Sequence, residues 1–188
     1  MLKIAITGNI ASGKSQAEKI LAENYPVYDT DKMVHAFLDE IKFFYGYDVF
    51  TEGKIDRKKL GALAFSNPDI KKKLEEIIHP KIRERLSEIF EKHKNDKYVF
   101  VSVPLLFEAG FETMFDKILL VTTDENTRLK RLMERDNLSE EEALKRINSQ
   151  MNESEKISKS DFVIYNNSDL NNLKSQIDEF LNLKIKDC

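Results

Sequence analysis

Residues Lys3–Gln16 read KIAITGNIASGKSQ. A short apolar run ending in threonine enters Gly8. A second glycine, Gly13, is followed by Lys14 and Ser15. The run from Leu2 to Thr7 has the length and composition of a buried strand. Beyond it, Lys14 to Glu23 carries Ala17, Ile20 and Leu21 at helical spacing. Gly8, Gly13, Lys14 and Ser15 therefore fit G-x-x-x-x-G-K-[ST] with a strand before it and a helix after it. The alternative, a glycine turn with a lysine beside it, explains neither flank. Glycines let successive backbone N–H groups turn toward phosphate oxygens, and the following helix offers its positive end to the same anion. Lys14 supplies a mobile positive charge for the β- and γ-phosphates, and the Ser15 hydroxyl can ligate Mg²⁺.

The rest of the chain reads as α/β. Pro26–Asp29, Tyr98–Val103, Lys117–Thr122 and Phe162–Tyr165 are further short apolar runs separated by helices. That is the pattern of a parallel sheet covered on both faces. The expected fold is a three-layer P-loop NTPase fold with a five-stranded parallel sheet. Its nucleotide-binding core takes residues 1–30 and 95–188, with a helical lid at about 124–150. Residues 31–94 differ: they hold no convincing buried strand, and loops of that length without a role are uncommon. They read as a helical substrate-binding insertion. Arg57–Phe65 is one helix. Another is capped by Asn67, ends before Pro80, and hands over to a helix that starts there. Asp124 caps a helix over DENTRLKRLMERD, and Ser139 with Glu142 forms a capping box.

Composition sets limits. The 188 residues are 41% hydrophobic and 34% charged, with a formal net charge of −3. A chain of this size buries roughly 70% of its unfolded surface and needs no crosslink. The single cysteine, Cys188, has no partner for a disulfide and no cluster for a metal. The near-neutral charge gives no sign of nucleic-acid binding, no run approaches the length of a membrane span, and a cytoplasmic location is expected. Neither D-x-x-G nor N-K-x-D occurs, which argues against a GTPase. A short chain with a helical insertion and an arginine-rich late helix reads as a small-molecule kinase.

Several side chains are candidates for chemistry. VYDTD places Asp29 and Asp31 at the end of the second strand, the edge where open α/β sheets bind ligands. Residues two apart share a side if the extended geometry persists, so either carboxylate can serve as base or metal-water acceptor. Either can equally be a helix cap. Arg128, Arg131 and Arg135 lie at i, i+3 and i+7 on one helix face. They form a solvated basic face or a cluster that closes over a transferring phosphoryl group. Arg146 can join them or lie against adenine. VSVPLLFEAG has no Walker B aspartate, only Ser102 in the strand and Glu108 beyond it. Leu105, Leu106 and Phe107 are core or a wall for the substrate.

These motifs resemble those of the dephospho-coenzyme A kinase family, nearly end to end. TGNIASGKS, DTD, IDRKKLGALAF, IIHPKIRERL, VSVPLLFE, RLKRLMERD, RINSQM and DFVIYNN occur in the family's order and approximate spacing. The resemblance implies ATP- and Mg²⁺-dependent phosphorylation of the ribose 3′-hydroxyl of dephospho-CoA. It puts ATP on Gly8 and on Ala11, Ser12, Gly13, Lys14, Ser15 and Gln16, with Ser15 on Mg²⁺ and Asn166 near the adenine. It makes Asp31 the general base and places Arg131 and Arg135 in the lid. Arg57, His79 and Arg83 fall on the substrate side with Leu105, Phe107 and Glu108. The family usually has glycine where this chain has Asn9 and Ala11, threonine at Gln16 and a common aspartate at Tyr165. A nucleoside monophosphate kinase and a non-catalytic nucleotide sensor are the alternative readings; IIHP and PLLFE give the first no support, and an intact Lys14 with Asp31 and a full arginine set argues against the second.

Overall fold

The computed structural model describes residues 1–38, 46–51 and 54–185, without the side chains of Arg57, Phe65, Leu183 and Lys184. Cys188 falls outside the described residues. The chain opens with β1 (Leu2–Thr7), α1 (Lys14–Leu21) and β2 (Val27–Asp29). There follow α2 (Thr30–Leu38), the two-residue strands β3 (Phe50–Thr51) and β4 (Lys54–Ile55), α3 (Arg57–Ser66) and α4 (Pro68–Lys92). The remainder holds β5 (Tyr98–Ser102), β6 (Lys117–Thr122), α5 (Glu125–Asp136), α6 (Glu140–Asn148), α7 (Glu153–Ser158), β7 (Phe162–Tyr165) and α8 (Leu170–Glu179). Two compact units result: Met1–Tyr28 with Asn95–Cys188, and Asp29–Lys94.

The first unit is built on a five-stranded sheet in the order β2-β5-β1-β6-β7. β1 lies parallel between β5 and β6, with Ile6 opposite both Ser102 and Leu119. Ile4, Ala5 and Ile6 are all fully buried, so this strand is covered on both faces. On one face Ile4, Ile6, Phe100, Leu119 and Val121 pack with Ala17 and Leu21 of α1 and Leu173 and Ile177 of α8. Phe180 closes this cluster edge-on against Phe100 and Phe162. The parallel α/β sheet is the one that the five apolar runs predict. The N-caps at Asn67, Asp124 and Ser139 fall where the sequence places them.

The second unit gathers α2, α3 and α4 around the small β3–β4 hairpin. Here one expectation fails. Pro80 does not divide two helices; α4 runs unbroken through it for 25 residues. Proline removes one N–H and crowds the preceding turn, at about 3 kcal/mol. Ile78, Ile82, Leu86 and Ile89 continue one buried stripe across Pro80. Each stabilises the helix by about 1.5–3 kcal/mol when fully buried, so together they outweigh that cost. A second correction concerns VYDTD. Extended geometry stops at Asp29, and Asp31 already lies in the first turn of α2. The two carboxylates therefore do not share a side as strand neighbours.

Candidate active site

The loop between β1 and α1 is shaped by close contacts. A Cβ on Gly8 would meet the Val121 carbonyl oxygen at 2.4 Å. Gly13 has φ +90°, and a Cβ there would sit 1.9 Å from Nδ2 of Asn166. That Nδ2 donates to the Ser12 carbonyl at 3.0 Å, and Asn166 is 2% exposed. Asn166 thus braces the loop from below. Gln150 accepts from the Ile10 N–H at 2.7 Å, and Asn9 donates to the Met151 carbonyl at 3.4 Å. The amides of Ala11, Gly13, Lys14 and Ser15 find no protein acceptor among the described residues. The buried Ser12 Oγ also has no partner among them. Unmatched donors in a curled loop at a helix start are the chemistry of an anion site.

Ala11 holds φ +62°, the left-handed region that disfavours any side chain. Its methyl also lies against Leu132, Ala143 and Ile147. Relief of backbone strain of about 1–2 kcal/mol outweighs the loss of that one methyl contact. Ala11→Gly is therefore expected to stabilise the protein by about 1 kcal/mol, a rise of about 2–4 °C in Tm by calorimetry. An unchanged or lowered Tm would show that packing of the methyl dominates.

Lys14 leaves the loop floor toward β5. Its ammonium pairs with Glu18 Oε1 at 2.7 Å and also donates to the Ser102 hydroxyl. Ser102 in turn donates to the same Glu18 oxygen at 2.6 Å. Ser15 and Gln16 are exposed on the first turn of α1. Oxygen donors of this kind suit a hard cation. Among the described residues no group of three His, Cys, Asp or Glu side chains could cage a metal. A divalent ion here would keep water and nucleotide oxygens in its shell, as magnesium commonly does.

The three arginines of α5 differ in burial. Arg128 is 5% exposed and lies 3.8 Å from Glu153. Arg131 is half-buried, and its Nη1 has no hydrogen-bond partner among the described residues. Arg135 grips Asp136 through Nε at 2.8 Å and Nη2 at 3.0 Å. Arg146 reaches the same carboxylate at 2.8 Å. The hydrogen bonds from Arg135 first, then the positive charge of both arginines, hold Asp136 below the usual carboxylate range. Arg128, at Nε and Nη1, and Arg131, at Nη1, therefore both keep donors without a hydrogen-bond partner among the described residues, whereas Arg135 is engaged by Asp136.

PLLFE divides by exposure. Leu106 is fully buried and Phe107 nearly so, with the Lys159 ammonium 5.7 Å from its ring centre. Leu105 is 48% exposed. Glu108 pairs with the fully buried Lys156 at 2.8 Å and accepts from the Met151 N–H at 3.3 Å. It thereby ties the segment after β5 to the one after α6.

In the second unit, Asp29 accepts from the Asp31 N–H at 2.9 Å. Asp29 thus holds the first turn of α2, and Asp31 is exposed on that turn. His79 and Arg83 stand four residues apart on α4, below Glu75. Burial, with the Arg83 charge, pushes the His79 imidazole below its ordinary value, against the pull of Glu75. Arg57 opens α3, and its side chain lies outside the described residues.

The family model for dephospho-CoA kinase matches residues 2–172. The chain belongs to the dephospho-CoA kinase family. The family's curated member from Fusobacterium nucleatum is 43% identical over 185 residues, covering 94% of this chain and 95% of its own. A solved dephospho-CoA kinase from Campylobacter jejuni is 34% identical, with TM-score 0.74 and 98% of both chains covered. A Thermus thermophilus crystal structure aligns at TM-score 0.82 with 36% identity, over 96% of each chain.

Within this dephospho-CoA kinase family frame, sequence reasoning passed over three side chains that shape the loop. Gln150 occurs in RINSQM, and the motif gave no hint that its amide reaches Ile10. Asn167, from DFVIYNN, accepts from Thr123 Oγ1 and the Asp124 N–H, both at 2.8 Å, and fixes the start of α5. Glu18 belongs to no quoted motif. Its i, i+4 spacing from Lys14 was the available signal.

Proposed function

We infer that this protein transfers the γ-phosphoryl group of ATP to the ribose 3′-hydroxyl of dephospho-CoA, giving coenzyme A and ADP. Membership of the dephospho-CoA kinase family along almost the whole chain is the observation that carries this reading. The loop supports it with unmatched N–H donors at Ala11, Gly13, Lys14 and Ser15. In this reading those amides hold the phosphates, and Lys14 neutralises charge on the transferring group. The Ser15 hydroxyl would hold magnesium with the nucleotide, where the ion screens charge between the β- and γ-phosphates. Asp31 accepts the proton of the attacking hydroxyl. Arg131, with Arg135, stabilises the negative charge that develops on the phosphoryl oxygens.

The substrate-binding residues of this reading are Arg57, His79 and Arg83 within residues 31–94 and Leu105, Phe107 and Glu108 of the nucleotide-binding core. Gly8, Ser12, Gln16, Arg146 and Asn166 complete the ATP side. Residues 124–150 act as a lid that excludes water from the transferring group. No described helix is long and apolar enough to cross a membrane. A cytoplasmic location is part of what we propose.

A coupled ADP-release assay with dephospho-CoA, AMP, CMP and shikimate tests the assignment. Dephospho-CoA should be the substrate turned over. Turnover of a nucleoside monophosphate with none on dephospho-CoA would make the protein a nucleotide kinase. ATP binding without turnover of any acceptor would make it a sensor.

A further inference from the structure

P-loop enzymes of the NTPase type hold magnesium with the loop serine or threonine and with an aspartate on a neighbouring strand. β5 is the strand beside β1 on that side, and it runs through four apolar residues to Ser102. Ser102 cannot supply a charge. A carboxylate nevertheless stands there, delivered by α1. Glu18 Oε1 accepts from Ser102 at 2.6 Å and from Lys14 at 2.7 Å.

Its surroundings set Glu18 apart from an ordinary i, i+4 partner on a helix surface. Its side chain is 16% exposed and that of Lys14 is 15% exposed, whereas the surface pair Lys73–Glu76 is 50% and 51% exposed. A pair this withdrawn from water gives up hydration that a solvated pair keeps, and it is braced by a hydroxyl from another element. Both contacts fall on Oε1. Oε2 has no protein partner among the described residues, so one carboxylate oxygen remains available beside the loop lysine.

We propose that Glu18, braced by Ser102, is a positioning residue that supplies the acidic group β5 lacks, accepting hydrogen bonds from water in the shell of nucleotide-bound magnesium. This rests on the ATP-dependent reading above. The acid has changed its carrier from strand to helix, while Ser102 keeps the hydrogen-bonding link between the two elements. Glu18 acts through the metal's water, without touching the reacting atoms.

The test measures ATP affinity by calorimetry, with magnesium and with EDTA, for the wild type, Glu18→Gln and the double variant Glu18→Gln/Ser102→Asp. Magnesium should tighten wild-type binding. Glu18→Gln should lose at least about tenfold of that tightening without weakening binding in EDTA, because removing a carboxylate does not repel the phosphates. The double variant, with the acid returned to the strand, should recover most of the loss. Thermal melts establish that each variant is folded. An unchanged magnesium dependence in Glu18→Gln would overturn the proposal. So would a loss that Ser102→Asp fails to restore in a folded protein, which would leave Glu18 as an anchor for Lys14 alone. If the wild type binds no ATP, the underlying reading falls instead.

Discussion

Asp31→Asn is expected to lower turnover of dephospho-CoA by about 100-fold or more, with the KM for ATP little changed. The magnitude is the lower end of what a positioned general base contributes. Asparagine keeps the size and a hydrogen-bonding oxygen, but it cannot take up the proton of the attacking hydroxyl. The local structure makes this a clean exchange. Asp29, not Asp31, accepts the first-turn amide of α2, through the 2.9 Å bond from the Asp31 N–H. Asp31 is exposed, so the substitution places no new polar group in the core. Steady-state kinetics at saturating ATP, together with a thermal melt, checks this. Wild-type turnover in the variant would reduce Asp31 to a residue of the helix start.

Gly13→Ala is expected to damage the loop strongly. Two effects add. The φ of +90° costs an L side chain about 1–2 kcal/mol. The new Cβ would then lie 1.9 Å from Asn166 Nδ2, which must move and abandon the Ser12 carbonyl. A buried hydrogen bond broken with its partners left unsatisfied costs about 1–3 kcal/mol. The sum is about 3 kcal/mol, a fall of about 6–12 °C in Tm for a chain of this length. ATP affinity should fall with it, because the N–H groups of Gly13 and Lys14 lose their orientation. Calorimetric melting and ATP titration check both parts. A variant that melts like the wild type would show that the loop adapts around Asn166.

The strands and the loop were legible because they depend on local order. Apolar runs of four to six residues between helices can satisfy their backbones only in a covered parallel sheet. G-x-x-x-x-G-K-S needs its glycines wherever it occurs. Caps were legible for the same reason, since Asn67, Asp124 and Ser139 act on amides two or three residues away. Pro80 was misjudged because its local penalty is real but is outweighed by a buried stripe that only packing creates.

What the tertiary structure decided lies in pairs far apart along the chain. No spacing rule links Ser102 to Glu18, Gln150 to Ile10 or Asn166 to Ser12, because their sequence separations reach 154 residues. The order β2-β5-β1-β6-β7 brings β5 and β6 to either side of β1, and it thereby sets Ser102 beside the P-loop lysine. The sequence by itself determined the fold class, the phosphate loop and the family. The choice of Ser102 as the brace of Glu18, and of Asn166 as the floor of the loop, was made by three-dimensional packing, since such partners follow from which strands are neighbours.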